Sequence, residues 1–308
     1  MADTVILLSA YNGTPFLGEQ LESLRAQEAA SRLTLFWRDD GSTDASPELL
    51  RRFDLGGGVI EAPAMGQRLG ALRSFMALLR ASPEAEFYAF CDQDDVWLPP
   101  KMSRARAALS HFPAGRPALY CGRQQLVDET LRPIGLSPQP HRPLGFGNAL
   151  AQNVATGCTM VLNDAARRLV CRAAPPPEGS LHDWWCYLLV TGAGGEVVFD
   201  PEPLILYRQH GRNAVGATPS LPHRALGALR RGPQDFLRVF RGHLDALSRS
   251  TELLTPSAAQ QVGLLRSSQE AGLLRRLSAI RRAGLYRQTM AEDLALLAWF
   301  ALGGAARA

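Results

Sequence analysis

Three aliphatic runs, Thr4–Ser9, Leu33–Trp37 and Phe87–Cys91, each stop abruptly at a polar cluster, and helical spacing fills the chain between them. Phe16, Leu17, Gln20, Leu21 and Leu24 keep one face after the first run. Thr43, Asp44 and Ser46 offer caps for a helix through Phe53. Val59-Ile60 supplies a short third strand, and Leu72, Phe75, Met76 and Leu79 mark a helix over Gly70–Arg80. This alternation predicts an α/β fold with a Rossmann-like, mainly parallel central sheet and helices on both faces. Ligands of such sheets sit beyond the carboxyl ends of the strands. Tyr11-Asn12-Gly13, Asp39-Asp40 and Asp92-Gln93-Asp94-Asp95 are therefore expected at one edge.

From Ala118 the rhythm changes to short strands (Leu119–Gly122, Thr159–Asn163, Val197–Phe199, Leu204–Tyr207) around a proline-rich loop and a helix at Leu181–Val190. The expected division is one domain over residues 1–222, with halves near 1–117 and 118–222, and a helical extension over 223–308. Charge marks the same boundary. Thirteen arginines and six carboxylates follow residue 222, against 20 basic and 23 acidic residues before it, and Lys101 is the only lysine. A basic tail on a slightly acidic body points to an anionic surface for the tail, not to nucleic acid along the whole chain.

The five cysteines are an odd number without a C-x-x-C pair, which suits free thiols in a reducing cytoplasm. The first ten residues lack the basic start and long apolar stretch of a secretory signal. No apolar run reaches the ~18 residues of a membrane span. Leu294–Ala306 is too short to cross but long enough to lie on a surface. A cytoplasmic protein, peripheral on the inner face of the membrane, is the expectation.

Three carboxylates within Asp92–Asp95 repel one another and call for a cation. Oxygen ligands select Mg²⁺ or Mn²⁺, which commonly also hold substrate phosphates. A solvated acidic loop is the plainer reading, although Trp97 in Val96–Pro100 argues for an anchored one. Asp39-Asp40-Gly41-Ser42 is either a helix cap or a pyrimidine site, one carboxylate accepting the imide N–H and Tyr11 offering its ring face. Neither G-x-x-x-x-G-K nor G-x-G-x-x-G occurs, so P-loop and dinucleotide readings fail. His182-Asp183-Trp184-Trp185 opens a helix. There Asp183 either serves the helix dipole or, against two indoles, acts as a general base. His210 alone is more often structural.

In order, YNG, RDDGSTD, FCDQDDVWLPPK, TGCTM, HDWW and LILYRQH resemble the family 2 glycosyltransferases, and especially bacterial rhamnosyltransferase-like members that build lipopolysaccharide or exopolysaccharide. The resemblance spans roughly residues 4 to 216. It implies the GT-A fold and inversion at the anomeric carbon. Asp40 would bind the pyrimidine, with Tyr11 stacking, Asn12 beside it and Asp39 in support. Asp92 and Asp94 would be the D-x-D ligands of the divalent cation and donor, and His210 would complete the metal shell. Asp183 would be the catalytic base. Gly157 and Cys158 would line the sugar pocket, and Asp95, Trp97, His182, Trp184 and Trp185 the sugar or acceptor side. Arg68 departs from the usual Asn and is expected at the diphosphate. The implied partners are a dTDP- or UDP-sugar and a glycan or lipid-linked acceptor, with a subunit contact left open. A sugar-1-phosphate nucleotidyltransferase and a non-catalytic sugar-binding module are the rivals. The first lacks its basic N-terminal loop here, and the second would not need five carboxylates (Asp40, Asp92, Asp94, Asp95, Asp183).

Overall fold

The computed structural model describes residues 2–63, 68–211 and 221–302. The chain divides into two compact units: Met1–Gln139, Ala155–Cys171 and Val198–Pro219 form one, and Pro140–Val154, Arg172–Val197 and Ser220–Ala308 the other. Segments 140–154 and 172–197, expected in the domain over residues 1–222, group with the C-terminal helices.

The first unit is built on strands β1 (Ala2–Ala10), β2 (Leu33–Asp39), β3 (Val59–Glu61) and β4 (Ala85–Cys91). The parallel register pairs Ala10 with Asp39 and Leu8 with Cys91, so the polar clusters after β1, β2 and β4 end level. Helix α1 (Thr14–Arg25) starts on Pro15, whose missing N–H costs nothing in a first turn. It is followed by α2 (Ser46–Arg52) and α3 (Ala71–Ala81). The latter buries Phe75, Met76, Leu78 and Leu79, with Phe75 edge-on to Phe90 of β4. Ile6, Leu8, Leu35, Trp37, Phe87 and Ala89 lie in the same buried cluster as Leu17, Leu21 and Leu24 of α1.

Beyond β4 come β5 (Val96–Trp97), α4 (Lys101–Leu109), β6 (Ala118–Gly122), β7 (Gln125–Val127) and β8 (Pro133–Leu136). They are followed by α5 (Phe146–Ala151), β9 (Val161–Asn163), α6 (Asp164–Arg172), α7 (His182–Gly192), β10 (Glu196–Asp200) and β11 (Ile205–Arg208). The main sheet runs β10-β6-β9-β4-β1-β2-β3, and a second sheet runs β5-β11-β7-β8. Strand β9 is antiparallel to β4, and it begins at Val161 because Gly157–Thr159 forms a 3₁₀ turn first. The spacing predicted neither β5, β7 and β8 nor their sheet; two- to four-residue strands carry too little alternation to read.

The second unit holds α5 and α7 with the helices α8 (Leu221–Ser248), α9 (Pro256–Ser267), α10 (Leu273–Arg282) and α11 (Met290–Leu302). Tyr187 Oη donates to Asn148 Oδ1 at 2.8 Å and Trp184 Nε1 to the Ala149 carbonyl at 2.7 Å, which locks α7 against α5. Gly147 lies so close to Gly284 that a Cβ would sit 2.2 Å from its carbonyl oxygen. Leu296 and Phe300 of α11 are buried, and Phe300 packs edge-on to Phe240 at 5.0 Å. Trp299 rests on Phe236 at 5.2 Å. Part of the apolar stretch expected on a surface thus packs inside its unit, while Leu294 and Leu302 stay exposed; residues 303–306 of it lie outside the described residues. Among the described residues no helix is long and apolar enough to cross a membrane.

Candidate active site

The loop after β1 is tied to its neighbours by every backbone N–H it presents. Tyr11 N donates to Gln93 Oε1 (2.8 Å) while Gln93 Nε2 donates to the Tyr11 carbonyl (2.9 Å). Asn12, at φ 49°, donates from its N–H to Ser42 Oγ and accepts from Thr43 N (2.8 Å). Gly13 N donates to Ser46 Oγ, and a Cβ there would fall 2.4 Å from Gln93 Oε1. Only glycine leaves room for this clamp.

The two aspartates after β2 differ sharply. Asp40 is buried, and both its oxygens are taken: Oδ1 accepts from Leu69 N (2.7 Å) and Arg38 Nη1 (2.6 Å), Oδ2 from Gly70 N (2.8 Å). Gly70 reaches this position at φ 77°, where a side chain would be strained. Asp40 therefore fastens the start of α3, with Oδ2 accepting a single hydrogen bond. Asp39 Oδ2 accepts from the N–H groups of Gly41 and Ser42, while Oδ1 is buried with no partner. The exposed Arg68 places its guanidinium over the Tyr11 ring, 3.8 Å from the centroid.

After β4, Asp94 Oδ2 lies 2.9 Å from His210 Nε2, and His210 stacks on Phe16 with centroids 4.8 Å apart. Arg208, fully buried at the end of β11, holds the acidic loop in place. Its Nε donates to the Asp94 carbonyl (2.9 Å), its backbone N–H to Asp95 Oδ1 (3.2 Å), and its other nitrogens to the Glu129 carbonyl and the Glu19 carboxylate. The motif LILYRQH contains Arg208, yet the sequence reading gave it no role. Removing these donors leaves buried acceptors unpaired, so Arg208→Met is expected to cost about 3 kcal/mol of stability, read as a lower urea midpoint with unchanged slope.

Asp95 is completely buried, and burial together with Asp94 and Asp92 holds its carboxyl well above the usual range. Asp92, Asp95 and Cys158 bring ligand atoms within 4.8 Å of one another. Burial and the same carboxylates push the Cys158 thiol well up, so it stays protonated and is a poor ligand. The carboxylates and His210 instead form an oxygen–nitrogen donor set suited to a hard divalent ion. Clustered acids with an unpartnered Asp95 Oδ2 fit such an ion. Gly157 and Cys158 form the turn before β9, and Cys158 Sγ accepts from Gln124 Nε2 (3.2 Å).

Trp97 is buried rather than lining an open pocket, and Lys101 Nζ sits 3.4 Å over its ring. This lysine is enclosed, Met102 Sδ lies 4.0 Å from its Nζ, and burial lowers its pKa to about 8. In the second unit, Asp183 lies in the first turn of α7, nearly buried, with Oδ1 accepting from Trp184 N (2.6 Å). His182 is enclosed, and burial lowers its pKa to about 3, so it is neutral. Trp185 is fully buried and stacks on His243, which makes it core instead of a pocket wall.

The sheet and the acidic cluster at the strand ends define a GT-A glycosyltransferase. The sequence model of Glycosyl transferase family 2 matches residues 5–162, just over half of the chain. The chain belongs to that family and is an enzyme of its class. The dTDP-rhamnosyl transferase RfbG of Shigella flexneri is 26% identical over 240 residues, which cover 72% of this chain and 79% of RfbG. Among solved structures, S. aureus TarS 1-349 in complex with UDP-GlcNAc aligns with a TM-score of 0.59 at 15% identity, over 95% of this chain and 83% of that one. The same TarS fragment without ligand aligns at 0.57, also at 15% identity, over 91% and 80%. The TarS likeness supports the fold. The nucleotidyltransferase and binding-module readings are set aside by the family match.

Proposed function

We propose that this enzyme moves a sugar, with rhamnose the first choice, from a nucleoside-diphosphate donor to a hydroxyl of a glycan or lipid-linked acceptor in cell-surface polysaccharide synthesis, inverting the anomeric carbon. The observation that carries the reading is the Asp94–His210 pair at 2.9 Å, set among Asp92 and Asp95 at a strand end level with Asp39. The 26% identity to a dTDP-rhamnosyl transferase supports the choice of donor.

Asp92, Asp94 and His210 would hold the Mg²⁺ or Mn²⁺ ion, which when bound supplies Lewis-acid stabilisation of charge on the leaving diphosphate. Asp39 Oδ1, an oxygen with no hydrogen bond among the described residues, joins Asp40 as a candidate acceptor for the pyrimidine N–H. Tyr11 would face the base, and Arg68, stacked on the Tyr11 ring, would serve donor binding. Asp183 accepts the proton of the attacking hydroxyl, which raises its nucleophilicity as the sugar–phosphate bond breaks. A lipid-linked acceptor would place the enzyme in the cytoplasm, against the inner membrane face. The test is a donor panel of dTDP-rhamnose and common UDP- and GDP-sugars with Mn²⁺ or Mg²⁺, scored by release of nucleoside diphosphate. Release is expected to be fastest with dTDP-rhamnose; no release from any donor, with acceptor-bearing membranes supplied, overturns the reading.

A further inference from the structure

Beyond its first turn, helix α11 is apolar on every side, yet only one side of it is covered. Leu296 and Phe300 share the buried side, where Phe300 and Trp299 meet rings of α8. At roughly 100° per residue, the opposite arc holds Met290, Ala291, Leu294, Ala295, Ala298 and Leu302, all exposed. Met290 is 76% exposed, Leu294 68% and Leu302 63%. No polar side chain interrupts this arc. The acids of the helix lie outside it, where Asp293 accepts from Arg142 and from Arg287 N, and Glu292 from Thr289 N. A helix apolar on every side is normally enclosed on every side. An uninterrupted exposed strip about 20 Å long therefore marks a contact surface.

Helix α10 packs against α11 and has an exposed side of its own. Its Ala279 and Ile280 are buried, while Leu273, Leu274, Arg275, Ser278, Arg281 and Arg282 are exposed. Leu274 and Arg281, seven residues apart, fall on one line of the helix, and Leu274 is 83% exposed. The helix contains no acid; Glu270 precedes it. Arginines interleaved with exposed leucines are what an interfacial helix presents to lipid headgroups.

Charge decides which occupant this surface takes. A second copy docking through the same face would bring two sets of arginines to one contact, with no carboxylate on either exposed arc to answer them. An anionic bilayer answers both features: headgroups take the arginines, and the acyl boundary takes the α11 strip.

We propose that the exposed sides of α10 and α11 dock on an anionic phospholipid surface, with Arg275, Arg281 and Arg282 at the headgroups and Met290, Leu294 and Leu302 entering the interface. The inference deepens the reading of a lipid-linked acceptor and rests on it for its purpose, since a surface-bound enzyme shares the plane in which such an acceptor diffuses.

The test is sedimentation of the full chain with phosphatidylglycerol vesicles, against phosphatidylcholine vesicles, at low salt. Wild type is expected to bind the first and not the second. Arg275→Gln/Arg281→Gln/Arg282→Gln should weaken binding about a hundredfold, at about fivefold per charge. The same three changed to Lys should retain binding, because the headgroups read charge. Met290→Gln/Leu294→Gln should cost at least about tenfold through the apolar strip. All these side chains are exposed, so urea midpoints are expected to match wild type. Arg25→Gln/Arg51→Gln/Arg52→Gln removes the same charge from exposed positions of the first unit and should leave binding unchanged. Wild type that ignores phosphatidylglycerol overturns the surface, as does an equal loss in that control. So does a wild-type dimer that Met290→Gln/Leu294→Gln dissociates in sedimentation velocity, which gives the face to a second copy. Nucleoside diphosphate release from a soluble donor without vesicles is expected to match wild type in every variant. Failure of the surface and failure of sugar transfer are thus read separately.

Discussion

Asp183→Asn is expected to lower kcat by ~10²–10⁴-fold while nucleoside diphosphate affinity holds. The size follows from what the substitution keeps. An amide has the shape of the carboxylate and retains a carbonyl oxygen for the 2.6 Å bond from Trp184 N. The first turn of α7 is also held independently, by Trp184 Nε1 on Ala149 and Tyr187 Oη on Asn148. What disappears is the ability to take a proton. Steady-state kinetics with calorimetry of nucleoside diphosphate binding decide the matter. A fall in donor affinity in proportion to the rate would make Asp183 a binding residue instead.

Replacing Asp94 by Ala should have the second large effect, loss of activity together with the metal dependence of nucleotide binding. Wild-type affinity for nucleoside diphosphate is expected to drop when EDTA is added, whereas the variant should bind equally weakly with or without Mn²⁺. The substitution is clean because Arg208 grips the backbone carbonyl of Asp94, not its side chain, and alanine keeps that carbonyl. His210→Ala should be milder, since a neutral imidazole contributes a ligand but no charge, and Asp92 and Asp94 remain. Undiminished wild-type turnover in EDTA would remove the metal from the mechanism.

The sheet was legible because each of β1, β2 and β4 is an aliphatic run ending in a polar cluster, and parallel register then forces those clusters to one edge. The Asp94–His210 pair was legible only as family likeness: nothing in spacing brings the two together across 116 residues of chain. Asp39 and Asp40 show the limit of residue type. Both are aspartates at one strand end, but the backbone of residues 69 and 70 engages both oxygens of Asp40, while one oxygen of Asp39 has no partner among the described residues. Arg208 escaped notice because its role is carried by backbone carbonyls, which leave no mark in a sequence. In the tail, an apolar helix with Trp299 and Phe300 reads equally as surface anchor or as packing; both rings find partners on α8, while Leu294 and Leu302 of the same helix stay exposed.

The enclosure of Lys101 above Trp97 makes the chain a built-in reporter of its own opening. No other lysine is present, so an acylating ester has a single side-chain amine to find, and in the folded protein that amine is shut away. Acylation at residue 101 therefore proceeds only through molecules in which α4 has lifted from the sheet or the unit has unfolded. The ratio of its rate to that of a free lysine analogue gives the free energy of that opening directly. Intact-mass spectra taken over time, with and without donor and Mn²⁺, would then measure how strongly ligands at the strand ends brace the unit beneath them, without an engineered label.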